Sequence, residues 1–215
     1  MADMTQIRRR ARGFTLIEML VALLILGVMS ALGYNTYRAA RISAERAEES
    51  MQRTREIEFG MRMLVQDFAE MVPRPVRDPL GQARLPALRA GANATSLVDL
   101  TRAGWSNTAG VQRSTLQRVS YQLVDDVFKR SYVTVLDATL ANQPVVQDVF
   151  KDVKSVQLHY LDGNQTWSDI WPEATVSGGT PGTTDAALVS RPVAVEIIIE
   201  FKDWGHVRRL VEVAG

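Results

Sequence analysis

The chain has 215 residues, 46% hydrophobic and 23% charged, with a formal net charge of +1 and no cysteine. That length holds one folded domain plus a membrane segment, and the missing cysteine excludes disulfides, a thiolate nucleophile and cysteine metal sites. The basic excess sits in the first thirteen residues, where Arg8, Arg9, Arg10 and Arg12 face one acid, Asp3; without them the chain is net acidic, which argues against a nucleic-acid partner.

Phe14–Tyr34 carries one charge, Glu18, in an otherwise almost wholly apolar run. As a helix at ~1.5 Å per residue it spans about 31 Å, the thickness of a bilayer's hydrocarbon core. Gly27 and Gly33 are compatible with a membrane helix. A secretory signal peptide is one alternative, with small residues near Met29-Ser30-Ala31, although the apolar run is long for it. A simple signal anchor is another. Neither accounts for Glu18, because an acid inside a bilayer costs roughly 3 kcal/mol on insertion scales. Four arginines precede the run, but Arg38, Arg41 and Arg46 follow it closely, so charge bias orients the segment only weakly.

The stretch Arg12-Gly13-Phe14-Thr15-Leu16-Ile17-Glu18 behind a basic leader resembles the prepilin peptidase site of type IV pilins and type II secretion pseudopilins. The resemblance implies that a membrane aspartyl peptidase cuts between Gly13 and Phe14 and methylates the new amine of Phe14. It also gives Glu18 a role in assembly. The amine of one subunit and the carboxylate of its neighbour are each costly alone among apolar helices, and together form a charge-assisted pair that sets register. The alternative is that Glu18 snorkels to the interface and merely tolerates insertion.

Helical composition continues to about Val72 without proline. Ile57, Met61, Leu64, Val65, Phe68 and Met71/Val72 recur with a period near 3.6, which predicts one apolar stripe, with Arg62, Gln66, Asp67 and Glu70 on the other side. The methionines Met61, Met63 and Met71 read as core rather than as a binding groove. Pro73 and Pro75 stop the helix. The organisation expected is a leader over 1–13, a membrane and assembly segment over 14–34, an amphipathic continuation over 35–73 and a periplasmic β domain over 74–215.

Beyond Arg74 the predicted strands are Ser96–Arg102, Leu116–Leu123, Phe128–Leu136, Val153–Leu161, Val193–Phe201 and Val207–Val213. Asp125-Asp126, Asp162-Gly163-Asn164 and Asp203-Trp204-Gly205 are turns, and Ser177–Asp185 is a loop. A long helix followed by antiparallel strands is α+β architecture, here pilin-like: a long N-terminal helix packed on antiparallel β-sheet.

The β domain resembles the J-type minor pseudopilins of type II secretion. The residues that carry this are Arg74-Pro75-Val76-Arg77-Asp78 with Gly81, Thr101–Asn107, Leu116–Tyr121, Leu136-Asp137, Trp167 with Ile170-Trp171-Pro172, and Pro192–Glu196. Ala103, Thr108 and Val133 depart from the group's usual Gly, Pro and Trp. The resemblance implies a non-catalytic subunit that initiates or caps a periplasmic pseudopilus. Its implied partners are the I, K and H minor pseudopilins, the major G pseudopilin, the prepilin peptidase and the inner membrane. A minor pilin of a type IV pilus uses the same Gly13, Phe14 and Glu18. A membrane-anchored periplasmic enzyme or binding protein is the alternative of a different class.

The residues themselves offer little catalytic chemistry. His159 and His206 fall in separate strands and read as half-buried strand residues. Asp125 and Asp126 point to opposite faces if extended. Asp162–Asp169 lacks the oxygen spacing and terminal Glu of a calcium loop, and Gly178–Gly182 is not followed by the Lys-Ser/Thr of a phosphate loop. No cofactor or metal is expected. Arg74–Gly81 also reads simply as a helix stop and turn, and the four tryptophans as core or edge-covering rings, an exposed one being an interface candidate.

Overall fold

The structure, a computed structural model, describes residues 13–91, 96–106, 110, 112, 114–173 and 185–213. The leader arginines Arg8, Arg9, Arg10 and Arg12, the residues Asn107 and Thr108, and positions 177–184 of the expected loop, with its Gly178–Gly182 stretch, lie outside the described residues. The chain divides into two units, 1–54 and 55–215.

In the first unit the described residues from Leu16 onward are all helix α1, which runs Leu16–Ala69. Its apolar side chains are exposed: Leu16 by 80%, Ile17 by 71%, Leu24 by 68%. Apolar composition and length make it long enough to cross a membrane.

The second unit takes the last turns of α1 into a β domain. The helix stops at Ala69, before the expected Val72, because the sheet edge recruits the chain: Val72 N donates to Thr101 O at 2.9 Å and Ala103 N to Glu70 O at 2.9 Å. The strands β1 (Val76–Arg77), β2 (Arg84–Leu85), β3 (Leu88–Ala90), β4 (Val98–Arg102) and β5 (Gln117–Val124) are followed by β6 (Val127–Val133), β7 (Val145–Phe150), β8 (Val153–Leu161) and β9 (Trp167–Ser168). A short helix α2 (Asp185–Val189) then precedes the hairpin β10 (Ala194–Phe201) and β11 (Gly205–Glu212). They form a five-stranded sheet, β3-β4-β5-β6-β7, a four-stranded sheet, β11-β10-β8-β9, and a two-stranded arm, β1-β2.

The expected turns have physical causes. Asp125 and Asp126 both adopt positive φ, 52° and 62°, the primed geometry that matches strand twist in a two-residue hairpin. Gly205, at φ 85°, closes the β10–β11 hairpin. The Asp162 turn is held by its own carboxylate, whose Oδ1 accepts from Asn164 N at 2.9 Å and Thr166 N at 2.7 Å.

Ile57, Met61, Leu64 and Phe68 of α1 are buried against both sheets. Tyr121 stacks on Phe128 at 5.2 Å, Phe128 on Phe150 at 6.0 Å, and Phe150 meets Phe201 edge-on at 5.4 Å, so a ladder of rings joins the sheets. The strand expected over Phe128–Leu136 ends earlier, at Val133. Strand β7 has no counterpart among the expected strands. It is an exposed edge, with Val145 and Val146 facing solvent, and so lacks clean apolar alternation.

Gly60 lets α1 approach β7. A Cβ there would meet Phe150 Cε1 at 2.4 Å and Val149 Cγ1 at 2.9 Å. Alanine gains about 1 kcal/mol of helix propensity, but the Phe150 ring is locked between Phe128 and Phe201. Gly60→Ala should therefore lose about 1–3 kcal/mol net through overpacking, read by urea unfolding in detergent followed by tryptophan fluorescence.

Candidate functional site

Gly13 precedes α1, and a Cβ there would meet nothing within 4 Å. Phe14 is 80% exposed. Thr15 caps the helix. Glu18 N donates to Thr15 Oγ1 at 3.3 Å, while Glu18 Oε2 accepts from Thr15 N and Oγ1, each at 3.4 Å. This is a reciprocal capping box, with the carboxylate near the positive end of the helix dipole. The bonds are long, so Glu18 keeps unused acceptor capacity and is held only lightly. The structure thus places Gly13, Phe14 and Glu18 together at one accessible helix end, with the apolar surface of α1 beginning beside them.

A second constellation lies in the domain core, and the periodicity of α1 does not reveal it. Asp67, expected on the polar side of the helix, is fully buried. Its Oδ1 accepts from Arg102 Nη1 at 2.5 Å and its Oδ2 from Arg130 Nε at 2.6 Å and Tyr121 Oη at 2.7 Å. Arg102 Nη2 also pairs with Glu70, and Arg130 Nη2 reaches Gln117 Oε1 at 3.0 Å. Two carboxylates and two guanidinium groups balance. Burial pushes the Tyr121 phenol well above its ordinary value, and the adjacent Asp67 carboxylate adds to the rise. Burial opposes charge on Arg130, yet its bond to Asp67 and their attraction hold its guanidinium above the usual value. The signal available in sequence is an inward-facing arginine at strand period two: Arg102 follows Val98 and Leu100, and Arg130 follows Phe128.

The other candidates separate. Nδ1 of His159 lies 2.6 Å from Asp169 Oδ1, an acid ten residues later that strand periodicity alone does not pair with it. His206 is exposed, opposite Glu200. Trp171 is buried and Trp105 packs edge-on against Tyr132, whereas Trp167 and Trp204 are exposed by 47% and 42%. Among the described residues no group of three His, Cys, Asp or Glu converges to hold a metal.

Comparison with known proteins fits this geometry. Residues 35–213 match the family model of the type II secretion system (T2SS), protein J, and residues 8–34 match the prokaryotic N-terminal methylation motif. The chain is similar to the type II secretion system protein J of Escherichia coli, 29% identical over 209 residues that cover 94% of this chain and 96% of the relative. It is also similar to that of Klebsiella pneumoniae, 26% identical over 203 residues that cover 94% of each. A chain in the crystal structure of the GspK-GspI-GspJ complex from enterotoxigenic Escherichia coli superposes with a TM-score of 0.63 at 28% identity, covering 76% of this chain and 98% of that one.

Removing one member of a buried, balanced cluster strands the others. Asp67→Ala should destabilise the domain by about 3–5 kcal/mol, seen as a lower urea midpoint. Exposed Glu58→Ala should leave that midpoint nearly unchanged.

Proposed function

Since the chain belongs to the type II secretion system protein J family, we propose that it is a minor pseudopilin that helps initiate or cap the tip of the periplasmic pseudopilus and catalyses no reaction itself. The observation that carries this is the accessible Gly13–Phe14 junction one turn ahead of Glu18, at the head of a helix whose apolar surface lies open.

The chemistry follows from those residues. The prepilin peptidase hydrolyses the Gly13–Phe14 amide, so residues 1–13, with Arg8, Arg9, Arg10 and Arg12, leave as a cytoplasmic leader. Phe14 keeps the new amine, which is methylated and cationic. Residues 14–34 hold the subunit in the inner membrane with the β domain in the periplasm. On entry into a helix bundle, the amine of one subunit meets Glu18 of a neighbour, and the long bonds within the capping box yield to a charge-assisted one. The neighbours are the I, K and H minor pseudopilins and the major G pseudopilin. Support for the first two comes from the related chain crystallised in a complex of GspK, GspI and GspJ. The ion cluster of the domain core suits a structural role, since its charged groups are spent on one another.

Gly13→Leu should leave an unprocessed precursor on immunoblots; normal processing would contradict the leader assignment. Glu18→Ala should be cleaved yet assemble poorly, because an unpaired amine within the bundle costs about 3–5 kcal/mol, whereas loss of the cap alone costs about 1 kcal/mol. Glu18→Gln separates the two effects. It keeps a capping side chain without the charge, and should fail in assembly like the alanine variant.

A further inference from the structure

Three segments far apart in sequence, Arg74–Asp78, Leu116–Tyr121 and Leu136-Asp137, meet on the face of the five-stranded sheet opposite the buried side chains of Val119 and Tyr121. Asp137 ties the first of these to the last, accepting from Arg77 N at 2.9 Å and from Arg74 Nη2 at 3.2 Å. The β1–β2 arm and the loop after β6 thereby stand over the sheet and enclose a cavity of about 290 Å³. It shares Val76, Arg77, Pro79 and Ala138 as a wall with a larger groove of about 710 Å³.

The charges in this cleft do not balance. Arg89 and Asp99 neutralise each other, Arg89 Nη2 lying 2.7 Å from Asp99 Oδ2. Arg118 is buried, and its Nη1 donates only to neutral acceptors: Pro86 O and Ala87 O at 2.9 Å and Thr101 Oγ1 at 3.1 Å. Its Nη2 is buried with no acceptor. Burial lowers the Arg118 guanidinium to about 10, which still leaves it charged at neutral pH. At the mouth, exposed Arg77 has no acceptor for its side chain among the described residues. The Asp99 carboxylate attracts Arg118 as well as Arg89, so two guanidinium groups share one carboxylate; with the free one at the rim, this excess of positive charge calls for an anion.

We propose that this cleft is a carboxylate-binding site that takes an acidic side chain from an extended segment of a partner protein. The inner cavity has room for one side chain, not for a folded element. The second groove, across the wall they share, has space for the chain that carries that side chain. The groove sets the basic side chains Arg74, Arg77 and Arg84 beside apolar ones, among them Leu80, exposed by 63%; of its two acids, Asp137 is already paired with Arg74 and Asp78 accepts from Ala83 N. That combination is complementary to an acidic peptide with interspersed apolar residues. A free small carboxylate would use the arginines but leave the apolar walls uncovered. The site uses neither Glu18 nor any other residue of α1, so its failure leaves the fibre role untouched.

The test is fluorescence anisotropy on the full chain in detergent, with a fluorescein-labelled Leu-Glu-Leu-Asp-Leu peptide, its Gln/Asn counterpart, and succinate as competitor. The acidic peptide should bind and the amide peptide should not, with affinity falling as salt rises. Arg118→Gln risks misfolding, so the deciding variant is exposed Arg77→Glu. It should keep the wild-type thermal transition while weakening the acidic peptide by about ten-fold or more, the scale of one charged pair. Equal binding of both peptides, no binding of the acidic one, or an affinity indifferent to Arg77→Glu would overturn the proposal. Displacement of the peptide by succinate at equal affinity would overturn it in favour of a free small anion.

Discussion

A carboxylate at the head of a bilayer-length apolar helix needs a compensating charge, and Glu18 is that carboxylate. Among the described residues its hydrogen bonds all go to Thr15, and all are long. Around it Phe14, Leu16, Ile17 and Leu20 are exposed. In water or in lipid the cap offers only partial relief, because it supplies neutral donors and part of a helix dipole. A full positive charge in the right place relieves the carboxylate far better. Proteolysis at Gly13 would create one four residues away, on the same chain and on every neighbour. Under the proposed function, the cost of leaving either charge alone would select one axial register among otherwise slippery apolar helices.

The buried acid at the other end of α1 is compensated differently. Asp67 has its cations built in: Arg102 and Arg130 come from two strands of the sheet, and Tyr121 closes the remaining lone pair. Displacing the final turn of the helix from the sheet would leave Arg102 and Arg130 with only neutral acceptors, Ala103 O and Gln117 Oε1. Gly60 works alongside this by allowing backbone-close contact with the Phe150 ring. The end of the helix that holds the domain is therefore fixed by satisfied charges, whereas Glu18 at the other end is held only by long bonds to Thr15. A subunit that is pulled or packed by its N-terminal helix needs both.

Much of this was legible in the residues. The apolar run with its single acid, the 3.6-residue stripe through Ile57, Met61, Leu64 and Phe68, and the strict alternation Val195, Ile197, Ile199 each encode an element directly, because one face is buried and the other is not. What was not legible depended on partners distant in sequence. Asp67 looks like a solvent residue until Arg102 and Arg130 are placed over it. Strand β7 keeps Val145 and Val146 exposed at a sheet edge, so its pattern carries no inward signal. β1, β2 and β9 are two residues each, too short for any periodicity. The cleft around Arg118 is assembled from segments far apart in sequence, and an arginine inside a strand gives no hint whether its charge is matched.

The most direct measurement is the chemical identity of the amine that Glu18 is proposed to meet. Intact-mass and terminal-peptide spectrometry of the protein recovered from the membranes of a secreting cell should find one N-terminus, at Phe14, carrying a methyl group. A chain that still bears residues 1–13, or that begins at any other residue, would contradict the account, since Glu18 would then have no neighbouring terminus to receive.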